Sequence, residues 1–281
     1  MKTRIMTAIF LFVGFFLAYF CLPLYGWIIL VTAISGAACW EWGRLMSASP
    51  SWQFGFVAVV ITLCCLLLFM HPSFFDSGPG EPDKQAMWDI GRWLYLPAAG
   101  FWLLVVPLWI KNRWILSQSP LGWGIGIMVI MPTWLALIHL RQAGMYSLLA
   151  IMSLIWMADM AAYFSGKTFG RHKLAPIISP GKTWEGAIGG TLVTLLYGCA
   201  LFHYMPGLFL KNTGVLIIIL ILVLIIIMSI LGDLFESLLK RQVGLKDSSN
   251  LLPGHGGILD RTDSLSSTLP LAALAWLLIS A

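Results

Sequence analysis

The sequence predicts an all-α, polytopic integral membrane protein of about nine transmembrane helices with a cytoplasmic N-terminus. Of its 281 residues, 59% are hydrophobic and only 10% are charged. With a mean hydropathy of +0.87, that balance excludes a soluble globular domain. Apolar stretches of about 20 residues, enough to cross a bilayer, recur along the whole chain.

The first expected span, 5–22, follows Lys2 and Arg4. It reads as a retained helix and not as a cleaved leader, because no small-x-small site follows the run. Phe20-Cys21 also lacks the small residues of a lipoprotein signal. Spans at 25–46 and 53–70 come next. Glu41 and Arg44, near the end of the second span, stand at the i,i+3 spacing of an ordinary helix-surface pair. A polar loop, His71–Met87, contains the turn-rich run Ser77–Asp83 and leads to spans at 88–110, 121–140 and 145–165. The last three spans fall at 183–204, 212–235 and 262–281, the final one interrupted by polar residues. His71, His139 and His203 lie singly near span ends and read as interface polar groups. Cys21, Cys39, Cys64, Cys65 and Cys199 all fall inside apolar runs and read as buried, inert thiols. The chain divides at about residue 144. Residues 1–144 are spans and short connections, and residues 145–281 hold seven of the twelve acidic side chains.

Nine spans put the termini on opposite sides of the bilayer. Of the seventeen lysines and arginines, Lys84, Arg92, Arg141 and Lys211 then share one side and the other thirteen share the opposite one. The positive-inside rule makes the richer side cytoplasmic and leaves the acidic loop Asp76–Asp89 outside.

Three constellations carry chemistry. An ionised side chain at a helix centre costs roughly 2.5–3.5 kcal/mol on insertion scales, so clusters of charge beside apolar runs need a reason. The first is Asp159, inside a span with no basic residue within a helical turn; Tyr163 follows at i+4 on the same face. After Gly166 and Gly170 come Arg171, His172 and Lys173, placed at headgroup level to meet a lipid phosphate.

The second is Ser179-Pro-Gly-Lys182-Thr183-Trp-Glu-Gly186. It is not a P-loop, since the leading glycine of that motif would fall on Pro176 and no strand precedes it. A Pro-Gly turn followed by lysine and threonine at the start of a helix is still an anion site, with free N–H groups, a positive dipole end and an ammonium.

The third runs from Asp233 to Asp263. Asp233, Glu236, Ser237 and Lys240 occupy one helix face, and Arg241, Lys246 and Asp247 follow. The loop Pro253-Gly-His255-Gly256-Gly257 permits close backbone approach to a ligand. Asp260, Arg261 and Asp263 then open the last span. Carboxylates without thiolates suit Mg²⁺ better than zinc. An ion-coupled transporter also uses intramembrane carboxylates, but it needs acids at the midplane and charge open to both sides.

The pattern Ser237-x2-Lys240-Arg241-x4-Lys246-Asp247-x5-Pro253-x-His255-Gly256-Gly257-x2-Asp260-Arg261-x-Asp263 resembles the signature of the phosphatidate cytidylyltransferases, or CDP-diglyceride synthetases. The likeness extends over roughly 156–265 and includes the Asp159 and Lys182 segments. It implies a nucleotidyltransferase that joins CTP and phosphatidate to give CDP-diacylglycerol and pyrophosphate. It also implies a membrane-embedded homodimer that uses a divalent cation held by an acidic pair, here Asp233 and Asp260. On that reading Asp263 and Asp247 support the metal, Mg²⁺, with room for a second cation. Lys182, Thr183, Ser237, Lys240, Arg241 and Lys246 meet the triphosphate or lipid phosphate, together with Asp159, Arg171, Lys173, His255, Gly256 and Gly257. Arg261 clamps the charge that develops during transfer. The expected setting is a bacterial inner membrane with the site facing the cytoplasm, membrane lipid around it, and no nucleic-acid partner.

Overall fold

The computed structural model describes residues 2–71, 83–205 and 214–280. Part of the acidic loop with its turn-rich run, and Lys211, lie outside them. The helices are α1 (Lys2–Cys21), α2 (Leu24–Leu45), α3 (Pro50–Met70), α4 (Asp83–Gly100), α5 (Val106–Asn112), α6 (Pro120–Ala143), α7 (Met145–Phe169), α8 (Trp184–Tyr204), α9 (Val215–Gln242) and α10 (Leu259–Ser280). Among the described residues, eight helical segments are long and apolar enough to cross a membrane, with α4 and α5 counted as one rod; α1 contributes a shorter apolar segment, Met6–Cys21. The expected spans correspond to helices in every case. α4 begins at Asp83, inside what was expected to be loop. α9 runs seven residues beyond its expected end at 235, where Leu238 and Leu239 stay buried and Glu236 and Lys240 pair at i,i+4.

Two short strands, β1 (Lys173–Ala175) and β2 (Ser179–Thr183), were not expected in an all-α chain. They pair antiparallel, Lys173 opposite Thr183 and Ala175 opposite Ser179. Pro180-Gly181 therefore lies within a strand and is not a turn. A two-stranded ribbon has only edges, so the missing N–H of Pro180 breaks no interior ladder. Thr183 then caps α8, its Oγ1 accepting from the Gly186 N–H at 3.1 Å.

Helix α10 sits centrally, against α9, α6, α4, α7 and α2. Its polar residues do not fray it. Ser264, Ser266, Ser267 and Thr268 are all buried and bond to helix carbonyls, Ser267 Oγ reaching Met228 O at 2.7 Å. In lipid, such small residues let helices approach closely. At Gly232 on α9 the approach is closest, for a Cβ there would stand 2.4 Å from Asp263 O. This contact sets Asp233 beside Asp263.

A second support lies two residues on. Phe235 is buried and meets Phe101, Trp102 and Trp109 edge-on, with ring centroids 5.6–5.9 Å apart. Phe101 and Trp102 belong to a π-helical turn, Phe101–Val105, that joins α4 to α5. Pro97 and Pro107 on either side each remove a backbone donor, and the turn absorbs the resulting change of register.

Three sequence expectations need correction. His139 is fully buried, 2.9 Å from the Tyr95 hydroxyl, and is not an interface group. Only Cys39 and Cys64 are buried; Cys21, Cys65 and Cys199 lie on the bundle's outer surface, where an apolar run can face lipid as readily as protein. Glu41 does not pair with Arg44. It is buried and faces the connection before α10, while Arg44 lies 5.2 Å over the Trp40 ring.

Candidate active site

Where α7 and α9 end and α8 and α10 begin, a cavity of about 750 Å³ opens. That is within the usual size range of small-molecule sites, roughly 300–1,000 Å³. It descends well into the bundle. Asp159 lies ten residues before the end of α7, which at 1.5 Å per residue is about 15 Å inward. The upper wall is polar: Lys167, Lys173, Lys182, Thr183, Asp233, Asp260, Arg261 and Asp263. Ala158, Ala162, Ala187, Gly190, Ile226 and Ile230 make an apolar lower wall. α7 and α8 pack closely through the small residues among these, for a Cβ on Gly190 would stand 3.0 Å from Ala158 O.

The charges have specific partners. Lys182 Nζ stands 2.7 Å from Asp233 Oδ2, and the Ser237 hydroxyl donates to Asp233 Oδ1 at 3.1 Å. Ser237 thus orients Asp233 from one helical turn further on. The Ser229 hydroxyl donates to Asp159 Oδ1 at 3.1 Å. Asp260 is held most firmly. Its Oδ1 meets Lys240 Nζ at 2.5 Å, while Oδ2 accepts from Gly257 N at 2.7 Å and Ser248 N at 2.8 Å and lies 2.9 Å from Ser248 Oγ. Lys240 also reaches Glu236 at 3.1 Å, so two carboxyl groups share one ammonium.

Of the residues expected from sequence, Asp159, Lys173, Lys182, Thr183, Asp233, Asp260, Arg261 and Asp263 face one cavity. Arg171, Ser237, Lys240, Arg241, Lys246, Asp247, His255, Gly256 and Gly257 do not line it. Lys240 is only 8% exposed and serves as a counter-ion, not as an open phosphate ligand. Arg241, in the last turn of α9, and Lys246 and Asp247, beyond it, are exposed. Arg171 contributes its backbone N–H to Glu185, which also bonds His172 Nδ1 at 2.6 Å. This contact ties the β hairpin to the first turn of α8, and no spacing rule revealed it. Lys167, in the last turn of α7, lines the cavity although no sequence pattern singled it out.

Among the described residues, no three His, Cys, Asp or Glu side chains already converge as a metal-binding group. The donor chemistry nevertheless fits a hard cation. Asp159, Asp233 and Asp263 lie within electrostatic reach of one another, and no cysteine lines the cavity. Lys182 is the cation paired with this group, through Asp233.

The chain as a whole is similar to known proteins. The model of the "Cytidylyltransferase family" matches residues 2–279. A phosphatidate cytidylyltransferase of Pseudomonas aeruginosa is 37% identical, covering 98% of this chain and 97% of that protein. The protein of the same description from Haemophilus influenzae is 31% identical over 96% of each chain. One from Staphylococcus aureus is 41% identical over 53% of each.

Proposed function

The chain belongs to the cytidylyltransferase family, and we propose from that premise how its cavity joins CTP to phosphatidate, releasing CDP-diacylglycerol and pyrophosphate. The activity itself follows from the family and from relatives alike over the whole chain. The assignment of parts is supported by one observation: cationic and carboxylate side chains from three helices and the β hairpin face a single cavity whose deeper wall is apolar.

A phosphate oxygen of phosphatidate attacks the α-phosphorus of CTP in line. The new P–O bond forms as the α–β bridging bond breaks, and pyrophosphate leaves. Such a transfer asks the protein for positioning and charge neutralisation more than for covalent chemistry. No general base is required, because a phosphate monoester with a second pKa of about 6 is largely dianionic at neutral pH. Acyl chains lie against Ala158, Ala162, Ala187 and Ile226, which gives a diacyl lipid access from the bilayer. Lys173 and Arg261, exposed at the mouth, and Lys182, deeper in, hold phosphate oxygens; Arg261 can do so bidentately. Asp233, Asp260 and Asp263 would hold Mg²⁺, with space for a second cation, and the bound ion offsets triphosphate charge. Lys240 and Ser248 hold Asp260 in place, and Ser237 orients Asp233. The cavity end is the lysine- and arginine-rich end, which supports a cytoplasmic opening in a bacterial inner membrane. A homodimer belongs to the same reading through the family signature.

The test is a reaction of purified protein in detergent with labelled CTP, phosphatidate and Mg²⁺. A lipid-linked CMP product is expected, reduced at least about 100-fold by Asp260→Asn. Absence of product from the wild-type protein refutes the activity. Full activity in Asp260→Asn refutes the role given to that carboxylate.

A further inference from the structure

Glu41, on α2, belongs to the half of the chain that the cytidylyltransferase signature does not reach. It is 0% exposed. Its Oε1 accepts from Ser249 Oγ at 2.5 Å and Ile258 N at 2.9 Å, and its Oε2 from Leu259 N at 2.7 Å and Ser248 Oγ at 3.0 Å. A buried carboxylate persists only when its lone pairs are satisfied; the Ser249 hydroxyl and two backbone N–H groups do this here, and the single Ser248 hydroxyl proton is shared with Asp260 Oδ2. Ile258 and Leu259 supply N–H groups left free at the start of α10, so the carboxylate also meets the positive end of a helix.

The contact does not stop at Glu41. The Ser248 hydroxyl that reaches Glu41 also stands 2.9 Å from Asp260 Oδ2, on the cavity wall. Gly257 lies between the two carboxylates. A Cβ there would fall 2.1 Å from Ser248 Oγ and 2.3 Å from Glu41 Oε1. No slack remains, so any shift of Glu41 must be passed to Ser248 and the Gly257 N–H, which together hold Asp260.

We propose that Glu41 is a positioning residue for cytidylyl transfer: through Ser248 and the backbone at Gly257–Leu259 it sets the Asp260 carboxylate in the cavity. This rests on the activity argued above. Misplacement of a reacting constellation by about 1 Å can cost two orders of magnitude in rate. Glu41→Gln keeps the side chain's size but puts an amide N–H against donors. Its kcat is expected to fall roughly 10–100-fold, with a smaller change in KM for CTP, because the link reaches the triphosphate only through Asp260. Arg44→Gln, one turn along α2 and outside the link, retains wild-type kcat. The double variant Glu41→Gln/Ser248→Ala loses less than the product of the two single losses, since both act on the Asp260 carboxylate. Deuterium exchange at the Gly257–Leu259 amides accelerates in Glu41→Gln. A folded Glu41→Gln protein with kcat within about twofold of wild type overturns the proposal, as do losses that simply add. If Glu41→Gln does not yield folded protein, Ser249→Ala removes a Glu41 donor that does not touch Asp260; a several-fold fall in kcat is expected, and unchanged kcat overturns the proposal. A wild-type protein without activity refutes the reaction and not this link, which unchanged amide exchange in Glu41→Gln would then overturn on its own.

Discussion

Lys182 and Lys240 are the same residue type in opposite surroundings, and their variants separate stability from reaction. Lys182 and its partner Asp233 are 23% and 34% exposed, so their ion pair contributes no more than about 1 kcal/mol. Lys182→Met is expected to leave thermal unfolding in detergent nearly unchanged while turnover falls at least about 100-fold. Lys240 and its partners Glu236 and Asp260 are nearly enclosed, at 10%, 7% and 5% exposure. Lys240→Met leaves two buried carboxylates without their cation and costs about 3–5 kcal/mol, read as a lowered melting temperature along with lost turnover. A Lys240→Met protein with wild-type thermal stability would contradict this role. In the sequence both lysines look like phosphate ligands, because spacing records which side chains share a face and not which of them another helix covers.

At the scale of elements, the approach of α9 to α10 places Asp233 beside Asp263. Gly232→Val adds atoms where a Cβ already lies 2.4 Å from both Asp263 O and Ser267 Oγ. Overpacking of this kind costs about 1–3 kcal/mol, and here it also moves two cavity carboxylates apart. Turnover is expected to fall more steeply than stability, measured by activity per folded molecule against the melting temperature. A variant that loses only stability would show that the helix contact does not set the site. The helices themselves were legible from hydropathy to within a few residues, since about 20 apolar residues in a bilayer have little choice but to be helical. The β hairpin was not legible. Lys173–Thr183 lies outside the spans, where polar backbone has other partners and period carries no signal. Glu185 binding back to His172 is a tertiary closure that no local pattern announces.

For the whole molecule, the consequence to test is sidedness. Asn250, exposed in the connection between α9 and α10, lies at the cavity end of the bundle. In a background without native cysteines, Asn250→Cys is expected to react with a membrane-impermeant maleimide in inverted vesicles and not in intact spheroplasts. The reverse labelling would invert the topology and place the cavity outside, away from CTP. The prediction rests on the nine-span reading, which puts thirteen of the seventeen basic residues on one side of the bilayer before any helix is packed.

Composition, hydropathy and the motif between Ser237 and Asp263 determined by themselves that this chain is a helical membrane protein of the cytidylyltransferase kind, and they named most of the charged groups that meet in the cavity. They could do so because the bilayer dictates helix length and because clustered charge beside apolar helices costs too much to be incidental. Only the tertiary structure decided how those charges divide. It gave Lys182 to the cavity and Lys240 to the interior, turned Ser237 toward Asp233, and brought Glu41 across more than two hundred residues to Ser248. Pairings of that range depend on which helices touch and at what height, and a one-dimensional pattern of apolar and charged residues does not encode them.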